Sequence, residues 1–302
     1  MNSVSLPSPS AAASALDAAE GATVSAPTRT IEIDGARIAC RRIGAASGQP
    51  PLLLLNRFRG TMDDWDPALV DRLAARRPVL MFDPPGFARS SGSAPDSVAA
   101  FAAAAARVVR ALGETCVDVL GFSMGGTVAL QFALDFPELA RRLVIAASGP
   151  GFVPDVPPGL GAASDRVWPV ATKPVNDDAD FLFLFFEDTP SSQAAGRAYR
   201  DRLRRRPDAF ARVVDAGAWQ AQLRAAQGVA SPATSLLPRL AAITQPVLVA
   251  NGRRDIMVPS YASFAMAQAL PDARLVIYPD SGHGFLFQYP IAFADEIDRF
   301  LQ

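Results

Sequence analysis

Two hydrophobic periodicities alternate along most of the chain. Residues 30–43, TIEIDGARIACRRI, alternate apolar and polar positions around Asp34-Gly35, a pair that favours the tight turn of a β-hairpin. Residues 51–55 are wholly apolar, as a strand buried on both faces requires. Residues 64–75 carry Leu69, Val70 and Leu73 at helical spacing. Residues 78–82 form the next apolar run, closed by Asp83-Pro84-Pro85-Gly86, and 96–112 is an Ala-rich helix ending near Gly113. Residues 115–120, 142–147, 246–250 and 274–278 read as strands, and 124–136, 260–270 and 290–301 as helices. This rhythm predicts an α/β fold: a mostly parallel, eight-stranded sheet with helices on both faces and an antiparallel edge at the hairpin.

Residues 149–238 break the rhythm. They are helical or irregular and rich in aromatics: Phe152, Trp168, the FLFLFF run at 181–186, Tyr199, Phe210 and Trp219. The segment reads as an insertion over the sheet, its aromatics packed against the main domain or lining a cavity. Its basic run, Arg202-Leu203-Arg204-Arg205-Arg206, has Asp201 and Asp208 beside it and reads as a solvated helix face. Residues 1–28 hold no basic residue and no continuous apolar run; they read as a disordered tail and not as a secretory signal, so a cytoplasmic location is expected. The expected division is tail 1–28, core 29–149, helical cap 150–238 and core 239–302.

Composition narrows the chemistry. Twenty-nine basic residues face 30 acidic ones, a balance that argues against a nucleic-acid partner bound by bulk charge. No run of about 18 apolar residues exists, so no membrane span is expected. Two cysteines, Cys40 and Cys116, in strand-like runs, cannot make a disulfide framework. One histidine excludes multi-histidine metal centres and leaves only an all-carboxylate metal site open. That histidine, His283, needs a role.

Gly121-Phe122-Ser123-Met124-Gly125 lies between an apolar strand and a helix. A serine aimed outward from so tight a turn needs residues without side chains two before and two after it. The Met124 N–H then opens the helix and faces the hydroxyl, with the helix dipole behind it. A lone serine is a weak nucleophile and needs a base. His283, in the loop after the last strand, lies on the same carboxyl edge of a parallel sheet and serves as that base when neutral. Asp255, in the loop after the preceding strand, completes a Ser–Asp–His order.

The sequence resembles the α/β-hydrolase superfamily from about residue 29 to the C-terminus, and within it the cap-bearing serine esterase-like branch. The resemblance is carried by GFSMGG at 121–126, DPPGFARSSG at 83–92, NGRRDIMVP at 251–259 and DSGHGF at 280–285. It implies a Ser123–His283–Asp255 triad, a cap after the sixth strand, no cofactor, and a small-molecule ester or related acyl substrate, in a monomer or a homodimer. It also implies an oxyanion hole formed by the N–H groups of Met124 and Phe58. Where many members carry His-Gly, this chain has Asn56-Arg57; the donor is backbone, so Asn56 for His is tolerable, whereas Arg57 for Gly restricts the loop.

Arg57 and Arg59 have two readings: they bind a substrate carboxylate or phosphate, or they pair with Asp63, Asp64 or Asp66 and lock the loop. Trp65, Phe122 and Phe87 either line the pocket or pack in the core, and Asp83 reads as a turn residue. The leading activity is ester, lactone or thioester hydrolysis through an acyl-enzyme. SMGG followed by TVALQFALDFPELARRLVI also resembles C–C hydrolases of ring-cleavage dienoates, although His283 is followed by Gly where those commonly show Trp. Cofactor-free haloperoxidase-like perhydrolysis uses the same machinery, and a ligand-binding receptor on a hydrolase fold is the non-enzymatic alternative. Halide-alkane and epoxide chemistry is disfavoured because those relatives use Asp where Ser123 stands.

Overall fold

The computed structural model describes residues 21–44, 47–157, 165–208 and 214–302. Eight strands run β1 (Arg29–Ile33), β2 (Ala36–Ile43), β3 (Leu52–Leu55), β4 (Val79–Phe82), β5 (Val117–Phe122), β6 (Ala140–Ala146), β7 (Val247–Gly252) and β8 (Ala273–Tyr278). They form one sheet in the order β1-β2-β4-β3-β5-β6-β7-β8. The hairpin pairs antiparallel through Ile33 and Ala36, β2 lies antiparallel to β4, and every other pairing is parallel. The strand order reverses between β3 and β5, and at such a switch point the loops leaving the carboxyl ends diverge and open a crevice.

The two-residue side-chain period of a strand divides the core into two layers. Leu53, Leu80, Val119, Ile145 and Val249 bury on one face, against Val128 and Phe132. Leu54, Met81, Leu120, Val144 and Leu248 bury on the other, against Leu69, Leu73, Phe293 and Ile297. The helices start where their caps demand: Asp66 accepts from Ala68 N–H before Pro67–Ala74, and Ser97 from Ala100 N–H before Val98–Ala111. Among the described residues no helix is long and apolar enough to cross a membrane.

Between β6 and β7 the chain builds the helices Val167–Ala171, Asp178–Phe185, Pro190–Arg204 and Ala216–Gln227. Asp177 and Asp180 make a capping box, and Thr189 and Asp215 cap the next two helices. This insertion is tied to the core by polar contacts. Tyr199 Oη donates to the Asp64 carbonyl at 2.7 Å. The basic run departs from the expected solvated face. Arg202 pairs with the fully buried Asp66, and Arg206 donates to the carbonyls of Thr23, Val24 and Ala26. Arg202 faces the core from the Pro190–Arg204 helix, and Arg206 reaches it from the turn that follows; Arg204 pairs outward with Asp178 and Asp201. Phe210 lies outside the described residues.

Residues 21–25 depart from the disordered tail expected over 1–28. Gly21–Ser25 is a short helix, and Thr23 donates to Asp71 through both its N–H, at 2.8 Å, and its hydroxyl. Burial holds the Asp71 carboxyl above its ordinary range, with the Thr23 bonds opposing. The rest of the expected tail, 1–20, lies outside the described residues. Cys40 is buried, with its thiol pushed up by that burial, and Cys116 is partly buried just before β5.

Candidate active site

Ser123 stands between β5 and the Met124–Asp135 helix with φ 55° and ψ −124°, a conformation few non-glycine residues adopt. Such a residue costs on the order of 1–3 kcal/mol and persists because its surroundings over-determine it. Ser123 N–H donates to the Ala146 carbonyl at 2.9 Å, tying the turn to β6. A Cβ on Gly121 would run into the Gly125 carbonyl, and one on Gly125 into the Leu55 carbonyl. Both glycines are therefore obligatory, as the sequence spacing required.

His283 comes to Ser123 from the loop after β8. Its Nε2 lies 2.8 Å from Ser123 Oγ and its Nδ1 lies 2.7 Å from Asp255 Oδ2. All three side chains are buried, the imidazole completely. The other carboxylate oxygen of Asp255 accepts the N–H groups of Met257, at 2.8 Å, and Val258, at 2.9 Å. Those bonds fix the plane of the carboxylate and so the tilt of the imidazole. The rings of Phe122 and Phe185 pack on His283 at centroid distances of 5.2 and 5.3 Å. Gly284 N–H donates to the Phe185 carbonyl, so the inserted segment also steadies the histidine loop.

Phe58 and Met124 both line a cavity that opens on Ser123, and neither N–H has a protein acceptor among the described residues. The Asn56 side chain makes no hydrogen bond among the described residues. The loop is held instead by Gln222, whose Oε1 accepts Arg59 N–H at 2.7 Å. Sequence reasoning missed Gln222, since its partners lie more than 160 residues away and leave no local signature.

The two arginines part company. Arg57 pairs with Asp64 at 2.5 Å and lies over the rings of Phe181 and Phe185. Arg59 pairs with none of Asp63, Asp64 or Asp66. It adopts φ 57° and donates to the carbonyls of Ala171, Lys173 and Pro174, with its guanidinium over Trp219. Burial, reinforced by the Arg57 charge, lowers its pKa from the usual arginine value. Asp63 is taken by Arg41 and Arg89.

Trp65 and Phe122 do not line the site. Trp65 is 2% exposed and edge-on to Phe122, which fills the space behind His283; Phe87 packs on Phe101 in the core. Asp83 is the expected turn residue, accepting Met62 N–H at 2.9 Å and Arg89 N–H at 3.3 Å.

Two cavities meet at Ser123. The smaller, about 240 Å³, is lined by Arg57, Arg59, Asn176, Arg200 and His283. The larger, about 390 Å³, is mostly apolar, walled by Phe58, Phe152, Val167, Trp168, Val229 and Tyr261. Ligand sites are commonly concave and apolar with a few convergent polar groups, and this pair has that form.

Comparison with known proteins agrees with the geometry. Residues 50–290 match the family described as alpha/beta hydrolase fold. The chain is 30% identical over 254 residues to a pimeloyl-(acyl-carrier protein) methyl ester esterase of Nitrosomonas europaea, covering 82% of this chain and 94% of that protein. It is 31% identical over 286 residues to a poly(3-hydroxyalkanoate) depolymerase of Ectopseudomonas oleovorans, covering 91% and 92%. An alpha/beta hydrolase fold protein from Chitinophaga pinensis superposes with a TM-score of 0.83 at 34% identity, covering 93% of this chain and 99% of that one. With its eight-stranded sheet, its serine turn and these relatives, the chain belongs to the α/β-hydrolase family and is a hydrolase of that fold.

Proposed function

We propose that the protein is a serine hydrolase of small carboxylic esters, with lactones and thioesters open to the same steps. The observation that carries this reading is the buried relay Ser123 Oγ–His283–Asp255, with contacts of 2.8 and 2.7 Å. Ser123 Oγ adds to the ester carbonyl as its proton passes to His283 Nε2. The Nδ1–H donates to Asp255, which holds the ring and stabilises the imidazolium. The carbonyl oxygen, now anionic, is received by the N–H groups of Phe58 and Met124. The imidazolium protonates the leaving alkoxide. Water then attacks the acyl-enzyme by the same relay and regenerates Ser123. The larger apolar cavity suits the hydrocarbon part of such a substrate, and one relative is named a methyl ester esterase.

One observation favours a second reading, C–C hydrolysis of a ring-cleavage dienoate: Arg57, Arg59 and Arg200 line the smaller cavity, where a substrate carboxylate would share guanidinium groups already bonded to Asp64, to the Ala171, Lys173 and Pro174 carbonyls and to Asp178. Parallel assays of p-nitrophenyl esters of graded chain length and of a vinylogous β-ketoacid separate the two. The ester reading expects the esters to turn over with the higher kcat/KM; a preference for the ketoacid would transfer the assignment.

A further inference from the structure

Resting on that reading, we propose that Gln222 is a positioning residue for the oxyanion loop, which is competent only while the Ala216–Gln227 helix sits on it. Gln222 is 3% exposed. Its Oε1 accepts Arg59 N–H at 2.7 Å, and its Nε2 donates to the Arg57 carbonyl at 3.4 Å. One amide therefore bridges the peptide groups on either side of Phe58. A buried side chain that both accepts and donates at that reach is an amide, which carries both functions at fixed separation.

The same helix face makes a second contact. Trp219, one turn before Gln222, meets the Phe58 ring edge-on at 6.3 Å and 84°, and carries the Arg59 guanidinium at 5.3 Å. Arg59 itself is held at a positive φ, and the Gly60 N–H closes the turn onto the Arg57 carbonyl at 3.0 Å. From below, Gly125 packs against the carbonyls of Leu55 and Asn56. The loop is thus gripped between the nucleophile's helix and a helix of the insertion. A donor aimed at a transition-state oxygen must hold its place closely, and a shift of about 1 Å costs on the order of 100-fold in rate. The insertion then helps shape the oxyanion hole as well as covering the cavity.

The test is burst kinetics on an activated p-nitrophenyl ester with Gln222→Met, which keeps chain length and burial but neither hydrogen bond. Gln222→Met is expected to slow acylation about 10- to 100-fold with KM changed less than about threefold. A purely structural role would lower the unfolding temperature and leave the acylation rate of the folded fraction alone. Gln222→Leu carries the same expectation as Gln222→Met if that variant does not fold. Acylation within about twofold of wild type in Gln222→Met or Gln222→Leu overturns the proposal. Ser123→Ala runs alongside: full activity there would remove the underlying reading, whereas an inactive Ser123→Ala beside a normal Gln222→Met removes only the role of Gln222.

Discussion

Arg202 closes a two-bond fork on Asp66, Nε to Oδ1 at 2.8 Å and Nη2 to Oδ2 at 2.6 Å. Asp66 is fully buried and also caps the Pro67–Ala74 helix, so the pair joins the inserted helices to the core through a helix start. The paired carboxylate lifts the Arg202 pKa despite the cost of desolvation. Removing the guanidinium strands a buried carboxylate, which costs about 3 kcal/mol. Arg202→Ala is therefore expected to lower the urea midpoint, with Arg202→Lys recovering part of the loss as a single point charge. A midpoint unchanged in Arg202→Ala would show that the pair does not anchor the insertion.

Gly125 is the second pressure point. A Cβ there meets the Leu55 carbonyl, which belongs to β3 and cannot swing aside as a side chain would. Gly125→Ala is expected to push the loop after β3, residues 56–60, away from Ser123. Ester turnover should fall on the order of 100-fold or more. The measurement is kcat/KM on the folded fraction, with cooperative unfolding as the check on folding.

Asp83 gives a pH prediction with a definite sign. Desolvation raises its pKa to about 6, against backbone bonds from Met62 and Arg89 that lower it. A carboxyl raised on folding stabilises the native state most below its unfolded pKa, and that contribution is lost as pH rises through the folded value. The stability of wild type relative to Asp83→Asn should therefore fall between pH 4.5 and 7, by about 2 kcal/mol. Urea unfolding of both proteins at the two pH values gives the double difference; a difference that grows with pH would reverse the assignment.

The fold and the meeting of Ser123, Asp255 and His283 were legible for a physical reason. The elements are coded by local periodicity, and in a parallel sheet the carboxyl ends of β5, β7 and β8 share one edge, so Ser123, Asp255 and His283 converge without any side-chain detail. Local code also placed Asp83 and the two crowded glycines. What stayed hidden is long-range pairing. Arg202 and Arg206 look like surface charge until the last helical turn and the bend after it bring them onto Asp66 and the 23–26 carbonyls. Trp65 and Phe122 look like pocket residues by position, yet both bury behind the site. Thr23 belongs to a stretch without hydrophobic pattern and is fixed by one distant carboxylate, that of Asp71.

The proposed chemistry is covalent catalysis by Ser123 with His283 as base. It is tested most directly by quenching the enzyme during turnover of an activated ester and locating the acyl group by peptide mass spectrometry. One acyl group on the peptide containing Ser123 is expected, absent in Ser123→Ala. His283 is the sole histidine of the chain, so His283→Ala should slow acylation on the order of 10⁴-fold or more, with no second imidazole to substitute. An adduct on another residue, or near-wild-type turnover by either variant, would rule out covalent catalysis by Ser123 with His283 as base.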